Sequence, residues 1–277
     1  MEIKFWGTRG TIATPGDTTV IYGGNTSCIS VKLKNNYLII LDAGTGIRNL
    51  GISLLKSDSP IEGHILLSHF HWDHIEGLPF FTPLYKKGNK FTITGSFNAT
   101  HNIKDIILDP KKMNFFPVNF EQIKSELVFI ENHQNIINIK DCVIQFTQVN
   151  HPEEGMAFRI KEEGKTFVYM TDNELSDPTI SFDKFVRFCR DADLLIHDAQ
   201  FTPEELKRKK GWGHSSYKEA LELAIQANVK QLCLFHHDPE HSDIFIDEII
   251  DSCIDTLREK DINIICFAAQ EGLELTI

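Results

Sequence analysis

Six consecutive residues, His69-Phe70-His71-Trp72-Asp73-His74, place three imidazoles and a carboxylate directly after the apolar run Ile65-Leu66-Leu67. Neutral imidazole and carboxylate are the donor types that hold zinc and similar divalent ions. So dense a polar cluster is costly to bury without a cation, because each imidazole would otherwise need its own partner. Positions 69, 71 and 73 point one way only if the segment is extended. The adjacent Asp73 and His74 reach a second ion only if the chain turns there. The chemistry expected of such a run is therefore metal binding, with two ions within reach of one short segment.

The elements that must carry this segment can be read from periodicity. Met1 to Trp6 and Ser27 to Leu33 alternate, while Tyr37 to Leu41 and His64 to Leu67 are short apolar runs, and all four read as strands. Further strands are expected at Phe91–Thr94, Val143–Val149, Ala157–Lys161, Thr166–Met170, Leu194–Ile196, Gln231–Phe235 and Ile262–Phe267. Ile47, Leu50, Leu54 and Leu55 fall at helical spacing after Gly44-Thr45-Gly46. Tyr217, Ala220, Leu221, Ala224 and Ile225 form one face of a 3.6-residue period, with Ser215 as the expected cap. A third helix, capped by Ser242, carries Ile246, Ile249, Ile250, Cys253, Ile254 and Leu257 on one side. Strands in both halves with helices outside them predict a layered α/β architecture. No repeat or linker interrupts the 277 residues, which read as a single domain over 1–277. Pro79 to Ser125, with Phe80-Phe81, Phe115-Phe116 and several prolines, reads as an insertion on the substrate side.

Bulk properties exclude several classes. At 42% hydrophobic and 24% charged, the composition is that of a globular chain. A net charge of −11 disfavours non-specific binding to long nucleic acids, which depends on basic surface. It leaves room for a small anionic substrate, because bound cations would dominate the local field. No apolar run approaches the roughly 20 residues of a membrane helix. No basic-then-apolar leader precedes the first strand pattern, so a cytoplasmic location is expected. The six cysteines are scattered without a C-x-x-C pair and read as reduced core thiols.

His-x-His-x-Asp-His at a strand end resembles the signature of the metallo-β-lactamase superfamily, which implies a four-layer αβ/βα sandwich. The resemblance spans nearly the whole chain. Leu41-Asp42-Ala43-Gly44-Thr45-Gly46 looks like the family's segment that buttresses the metal loop. Val149-Asn150-His151, Met170-Thr171-Asp172 and Leu234-Phe235-His236 match later motifs, each after a strand. The resemblance implies that His69, His71 and His151 hold one divalent ion and that Asp73, His74 and His236 hold a second, with Asp172 bridging. Zinc is the metal expected, with manganese or iron as alternatives. His236 is favoured over His237 by its match to the motif, and His64, His101, His133 and His241 are taken as non-ligands.

Two further segments indicate a branch. Ile196-His197-Asp198-Ala199-Gln200-Phe201 resembles the His-Glu-Ala-Thr-Phe segment of ribonuclease Z, with aspartate for glutamate, and Gly213-His214-Ser215-Ser216 resembles its Gly-His-Ser-Thr. This implies that Asp198 orients His214 as a proton donor to the leaving group. Asp73 counts among the catalytic groups as well as the ligands. Ribonuclease Z itself is disfavoured, because His151 and Asp172 lie only 21 positions apart and leave no room there for a tRNA-gripping arm. The missing cysteine cluster of the phosphoribosyl cyclic phosphodiesterases shifts the expectation to cyclic nucleotides. The function expected is thus a dinuclear phosphodiesterase that opens a small cyclic phosphodiester by attack of a metal-bridged hydroxide. The rivals are a lactonase or thioesterase on the same scaffold, a mononuclear-iron oxygenase, and a metal-stabilised binding protein. The basic run Lys207-Arg208-Lys209-Lys210 could attract phosphate, with Trp212 or Phe115-Phe116 stacking on a base. A solvated helix end with a packed tryptophan is the plainer reading of that run, and Arg9 is treated alike. Assembly is left open, a homodimer included.

Overall fold

A computed structural model describes residues 1–95, 122–131, 135–152 and 154–277. Two seven-stranded sheets face each other. The first runs β14-β1-β2-β3-β4-β5-β6, from Glu274–Thr276 through Glu2–Gly7, Cys28–Lys32, Leu38–Leu41, Glu62–Leu67 and Lys90–Gly95 to Glu126–Glu131. The second runs β13-β12-β11-β10-β9-β8-β7, from Ile265–Ala268 through Gln231–Phe235, Leu194–Asp198, Lys165–Met170, Met156–Glu162 and Cys142–Gln148 to Ile136–Ile139.

Period-two patterning explains the layering. In β3, Ile39 and Leu41 join Ile3, Phe5, Ile29, Val31 and Leu66 in the core between the sheets. Leu38 and Ile40 point the other way, onto the helix Ile47–Leu54 and the short turns after residue 77. The second sheet divides likewise. Phe158, Phe167, Tyr169, Ile196 and Phe235 face the first sheet, while Val168, Met170, Leu195 and Leu234 pack on the helices Phe182–Cys189, Tyr217–Gln226 and Asp243–Glu259. Strands covered on both faces favour apolar residues on both, which is why Leu38–Leu41 in β3 and Leu194–Ile196 in β11 read as continuous runs rather than alternating ones. The result is helices, sheet, sheet, helices: the four-layer αβ/βα sandwich.

Several local expectations shift. The cap of Tyr217–Gln226 is Ser216, not Ser215: the Ser216 hydroxyl accepts from the Glu219 amide, and the Glu219 carboxylate returns to the Ser216 amide. The last long strand begins at Ile265 rather than Ile262, whose amide instead bonds the Leu257 carbonyl at the end of the preceding helix. Within the segment Pro79–Ser125, the expected strand at Phe91–Thr94 is β5, which pairs in parallel with both β4 and β6. His101, His133 and the Phe115-Phe116 pair lie outside the described residues. All six cysteines are buried and free.

Candidate metal centre

β3 and β4 are parallel, and so are β10, β11 and β12, while β8 reaches the same direction through two antiparallel pairings. The carboxyl ends of these six strands meet at one edge of the sandwich, where such sheets bind ligands. Asp42 follows β3, His69 follows β4, His151 follows β8, Asp172 follows β10, Asp198 ends β11 and His236 follows β12. Asp42, Asp172 and His236 each take a left-handed backbone there, with φ of 58°, 49° and 59°. Such a conformation costs about 1–2 kcal/mol per non-glycine residue. Three such residues at three strand ends mark a site whose geometry is held by its surroundings.

The His69–His74 segment is extended only as far as His71, which precedes the short helix Trp72–Ile75. That early turn carries Asp73 and His74 away from the strand direction and toward the second sheet. Four residues, His69, His71, His151 and Asp172, offer ligand atoms that all lie within 4.8 Å of one another, and Asp73, His74 and His236 form a second such group. Asp172 faces both: one carboxylate oxygen lies 3.6 Å from His69 Nε2, and the other lies 3.4 Å from His74 Nε2 and from His236 Nε2. All seven sequence-predicted ligands therefore converge.

The chemistry of the donors fits a pair of cations. Asp42 Oδ2 accepts from His74 Nδ1 at 2.8 Å, from the Ser68 hydroxyl at 2.8 Å and from the Tyr169 hydroxyl at 2.6 Å. His236 Nδ1 donates to Gln200 Oε1 at 2.9 Å, and Gln200 Nε2 in turn donates to the Thr11 hydroxyl. His69 Nδ1 lies 3.1 Å from Ser68 Oγ. With the Nδ1 atoms of His69, His74 and His236 committed outward, these rings turn Nε2 toward the centre, the atom that would hold a metal. His74 Nε2 and His236 Nε2 then stand 3.2 Å apart with Asp73 Oδ2 within 3.2 Å of both, an arrangement that is repulsive without positive charge at the centre.

A proton on His74 would answer part of it and leave His69 unanswered. Burial would lower His74, but Asp73, Asp172 and Asp42 outweigh it and raise the pKa well above that of free histidine. Burial, with the neighbouring imidazole of His74, drives His69 well below it, and His69 Nε2 is left with no hydrogen bond. Asp73 and Asp172 stay well below ordinary carboxylates because the surrounding imidazoles overcome their burial. Ligands oriented by outer carboxylate and amide partners are typical of metal sites.

His214 sits at the edge of this cluster, its Nδ1 3.5 Å from Asp198 Oδ2 and 3.8 Å from Asp172 Oδ2. Burial opposes the charged form, yet Asp198 and Asp172 together raise its pKa. The Ser215 amide donates to Asp198 Oδ2 at 3.0 Å and the Ser215 hydroxyl bonds the Asn173 carbonyl, which is why this serine does not cap the helix. Gly44 packs so closely under the metal segment that a Cβ there would stand 2.2 Å from the Asp73 carbonyl, so the Asp42–Gly44 segment does support it.

His237 turns away from the cluster. Its Nε2 meets the Ala269 carbonyl at 3.0 Å, and burial lowers its pKa to about 3. His64 bonds the Thr94 hydroxyl, and His241 bonds Glu205. Arg9 is wholly buried and ties the carbonyls of Gly23, Asp238 and His241 together, a loop clamp rather than a phosphate receptor. In the basic run, Lys207 pairs with Glu204 and Lys209 with Asp238. Trp212 is exposed, not packed as expected. Gln200, Tyr169, Ser68, Thr11 and Glu174 had no role in the sequence reading. Only Gln200, two positions after Asp198 beyond the same strand, carried a positional hint.

Comparison with known proteins agrees with this geometry. The beta-lactamase superfamily domain matches residues 37–237. A ribonuclease Z of Haloarcula marismortui is 23% identical, covering 99% of this chain and 96% of the relative. Among solved structures, the metallo-beta-lactamase fold protein YhfI of Bacillus subtilis superposes with a TM-score of 0.70 at 19% identity, covering 99% of each chain. Yeast PDE1 superposes at 0.69 with 16% identity, covering 100% of this chain and 99% of its own. The strand-end histidines and aspartates, the two facing sheets and the matched span together make this chain a member of the beta-lactamase superfamily, with the metallo-β-lactamase fold.

Proposed function

We propose that this metal-dependent phosphodiester hydrolase opens a small cyclic phosphodiester, in the simplest case a cyclic nucleotide. The observation that carries the reading is the His214–Asp198 pair, which sets an imidazole of raised pKa 3.5 Å from a buried carboxylate beside the ligand cluster. Two divalent ions, zinc by the donor set, would supply a polarised water and neutralise the non-bridging phosphoryl oxygens. His69, His71 and His151 would hold one ion and Asp73, His74 and His236 the other, with the two oxygens of Asp172 divided between them. The Thr11 amide donates to Asp73 Oδ2 at 2.7 Å and fixes that carboxylate beside His74 and His236. His214 keeps its Nδ1 toward Asp198 and gives a proton to the ester oxygen that leaves. Asp198, held by the amides of Asn173 and Ser215, keeps the imidazole oriented. A cytoplasmic setting with reduced thiols belongs to the same reading. Among the described residues no helix is long and apolar enough to cross a membrane.

A second reading, cleavage of RNA, is favoured by the full-length similarity to proteins named ribonuclease Z. The net charge of −11 and the paired lysines of the 207–210 run speak against a long polyanion. The discriminating experiment loads the protein with zinc or manganese, measures metal content, and assays 3′,5′- and 2′,3′-cyclic nucleotides beside a tRNA precursor, a lactone and a thioester. Turnover of a cyclic nucleotide with about two ions bound is expected. Turnover of the RNA or the lactone with none of the cyclic substrates would overturn the proposal.

A further inference from the structure

Two of the three tryptophans are left in water at the rim of the site. Trp72 is 74% exposed and Trp212 is 60% exposed, whereas Trp6 is half-buried with its indole N–H donating to Ser30 Oγ. Trp72 lies between His71 and Asp73 in the metal-binding segment itself. Trp212 precedes Gly213, whose Cα packs so tightly on His151 that a Cβ would stand 2.3 Å from the imidazole Cδ2. The His71 and His151 rings are 4.7 Å apart, so the segments bearing the two indoles abut at one edge of the cluster.

Trp212 is not on a slack loop. The buried Glu174 carboxylate accepts from the Gly211 amide at 2.8 and 3.0 Å and from the Gly213 amide at 3.1 Å, one on each side of the tryptophan. Both glycines take left-handed φ, 82° and 86°, which a side chain at either position would strain. The Glu174 amide bonds the Asn150 carbonyl at 2.8 Å, which anchors this latch to the His151 segment. A turn fixed from both sides holds a large apolar ring in solvent, where a polar residue would cost less. Lys209, paired with Asp238, has its Nζ 5.9 Å from the Trp212 ring, so its charge is already answered and the indole is left to stack.

We infer that Trp212, held by the Glu174 latch, and Trp72 form a stacking platform for the nucleobase of the substrate, and so determine specificity. The inference rests on the phosphodiesterase reading and adds the flat aromatic group that the substrate must carry. Indole faces stack on any base, so the platform selects for a base rather than for its identity.

The test compares a 3′,5′-cyclic nucleotide with a ribose cyclic phosphate that lacks the base. In Trp72→Ala and Trp212→Ala, the ratio of kcat/KM for the base-bearing to the base-free substrate falls about tenfold, mostly through KM, and Trp212→Phe retains most of the wild-type ratio. An unchanged ratio in both alanine variants overturns the inference. A separate measurement needs no turnover: nucleoside monophosphates quench the exposed tryptophan emission of the wild type, and each alanine variant loses part of that quench. Absence of quenching in the wild type overturns the platform. If quenching occurs while no phosphodiester is hydrolysed, the function proposal fails and the platform stands.

Discussion

At the scale of single residues, the site separates groups that would hold metal from one that would hold a proton. His214 lies within ligand reach of Asp172 and His236, yet its Nδ1 also faces Asp198. As a proton donor it should be dispensable for binding ions. His214→Ala is expected to lower kcat about 100- to 10,000-fold with metal content unchanged, measured by turnover and by elemental analysis. Full activity would remove the assignment, and a loss of bound metal would make His214 a ligand instead. Asp42 has the opposite profile. It touches no proposed ion, but it orients His74 and gathers donors from Ser68 and Tyr169. Asp42→Ala should therefore weaken metal binding about 10- to 100-fold, read by chelator competition. Unchanged affinity would show that His74 needs no such support.

At the scale of elements, two adjacent serines divide labour. Ser216 and Glu219 close a capping box on the helix Tyr217–Gln226, while Ser215 bonds the Asn173 carbonyl and the Leu175 amide beside the site. Ser216→Ala should cost about 1 kcal/mol and lower Tm by about 2–4 °C, with kcat little changed. Thermal melts and steady-state assays check both parts, and a kcat loss without a Tm shift would contradict the division. The box was legible, since a serine followed three residues later by glutamate fits Ser216 and not Ser215, whose partner would be Lys218. Ser215, next to the site, is drawn off by tertiary hydrogen bonds to Asn173, Leu175 and Asp198.

At the scale of the whole molecule, burial across the sandwich couples stability to pH. His64, on β4, is held neutral by burial, with its pKa lowered to about 4. The unfolded chain keeps the ordinary value near 6.5, so it takes up the proton first as pH falls. Stability is thus complete above about pH 6.5 and declines toward pH 4, by on the order of 3 kcal/mol from this residue. His64→Gln can still bond the Thr94 hydroxyl and should flatten that decline, as urea midpoints at pH 7 and 4.5 would show. An identical pH dependence in the variant would place the acid lability elsewhere. Tyr169 shows the same long-range economy: its ring packs in the inter-sheet core near Phe158, and its hydroxyl crosses to Asp42 on the other sheet.

The sequence alone determined the layers and the residue types gathered in the candidate site. Strand and helix periods are local, and apolar runs such as Leu38–Leu41 report burial on both faces wherever they lie along the chain. The donor set was legible because imidazoles and carboxylates crowded after apolar runs have few uses other than metal. Only the tertiary structure decided which histidine of the 236–237 pair faces the cluster, because a left-handed backbone at His236 turns one ring inward and leaves the next bonded to Ala269. It alone joined Asp42 to His74, Gln200 to His236 and Glu174 to the turn around Trp212. Those partners lie 32, 36 and at least 37 positions apart, and no local period encodes which strand ends will meet.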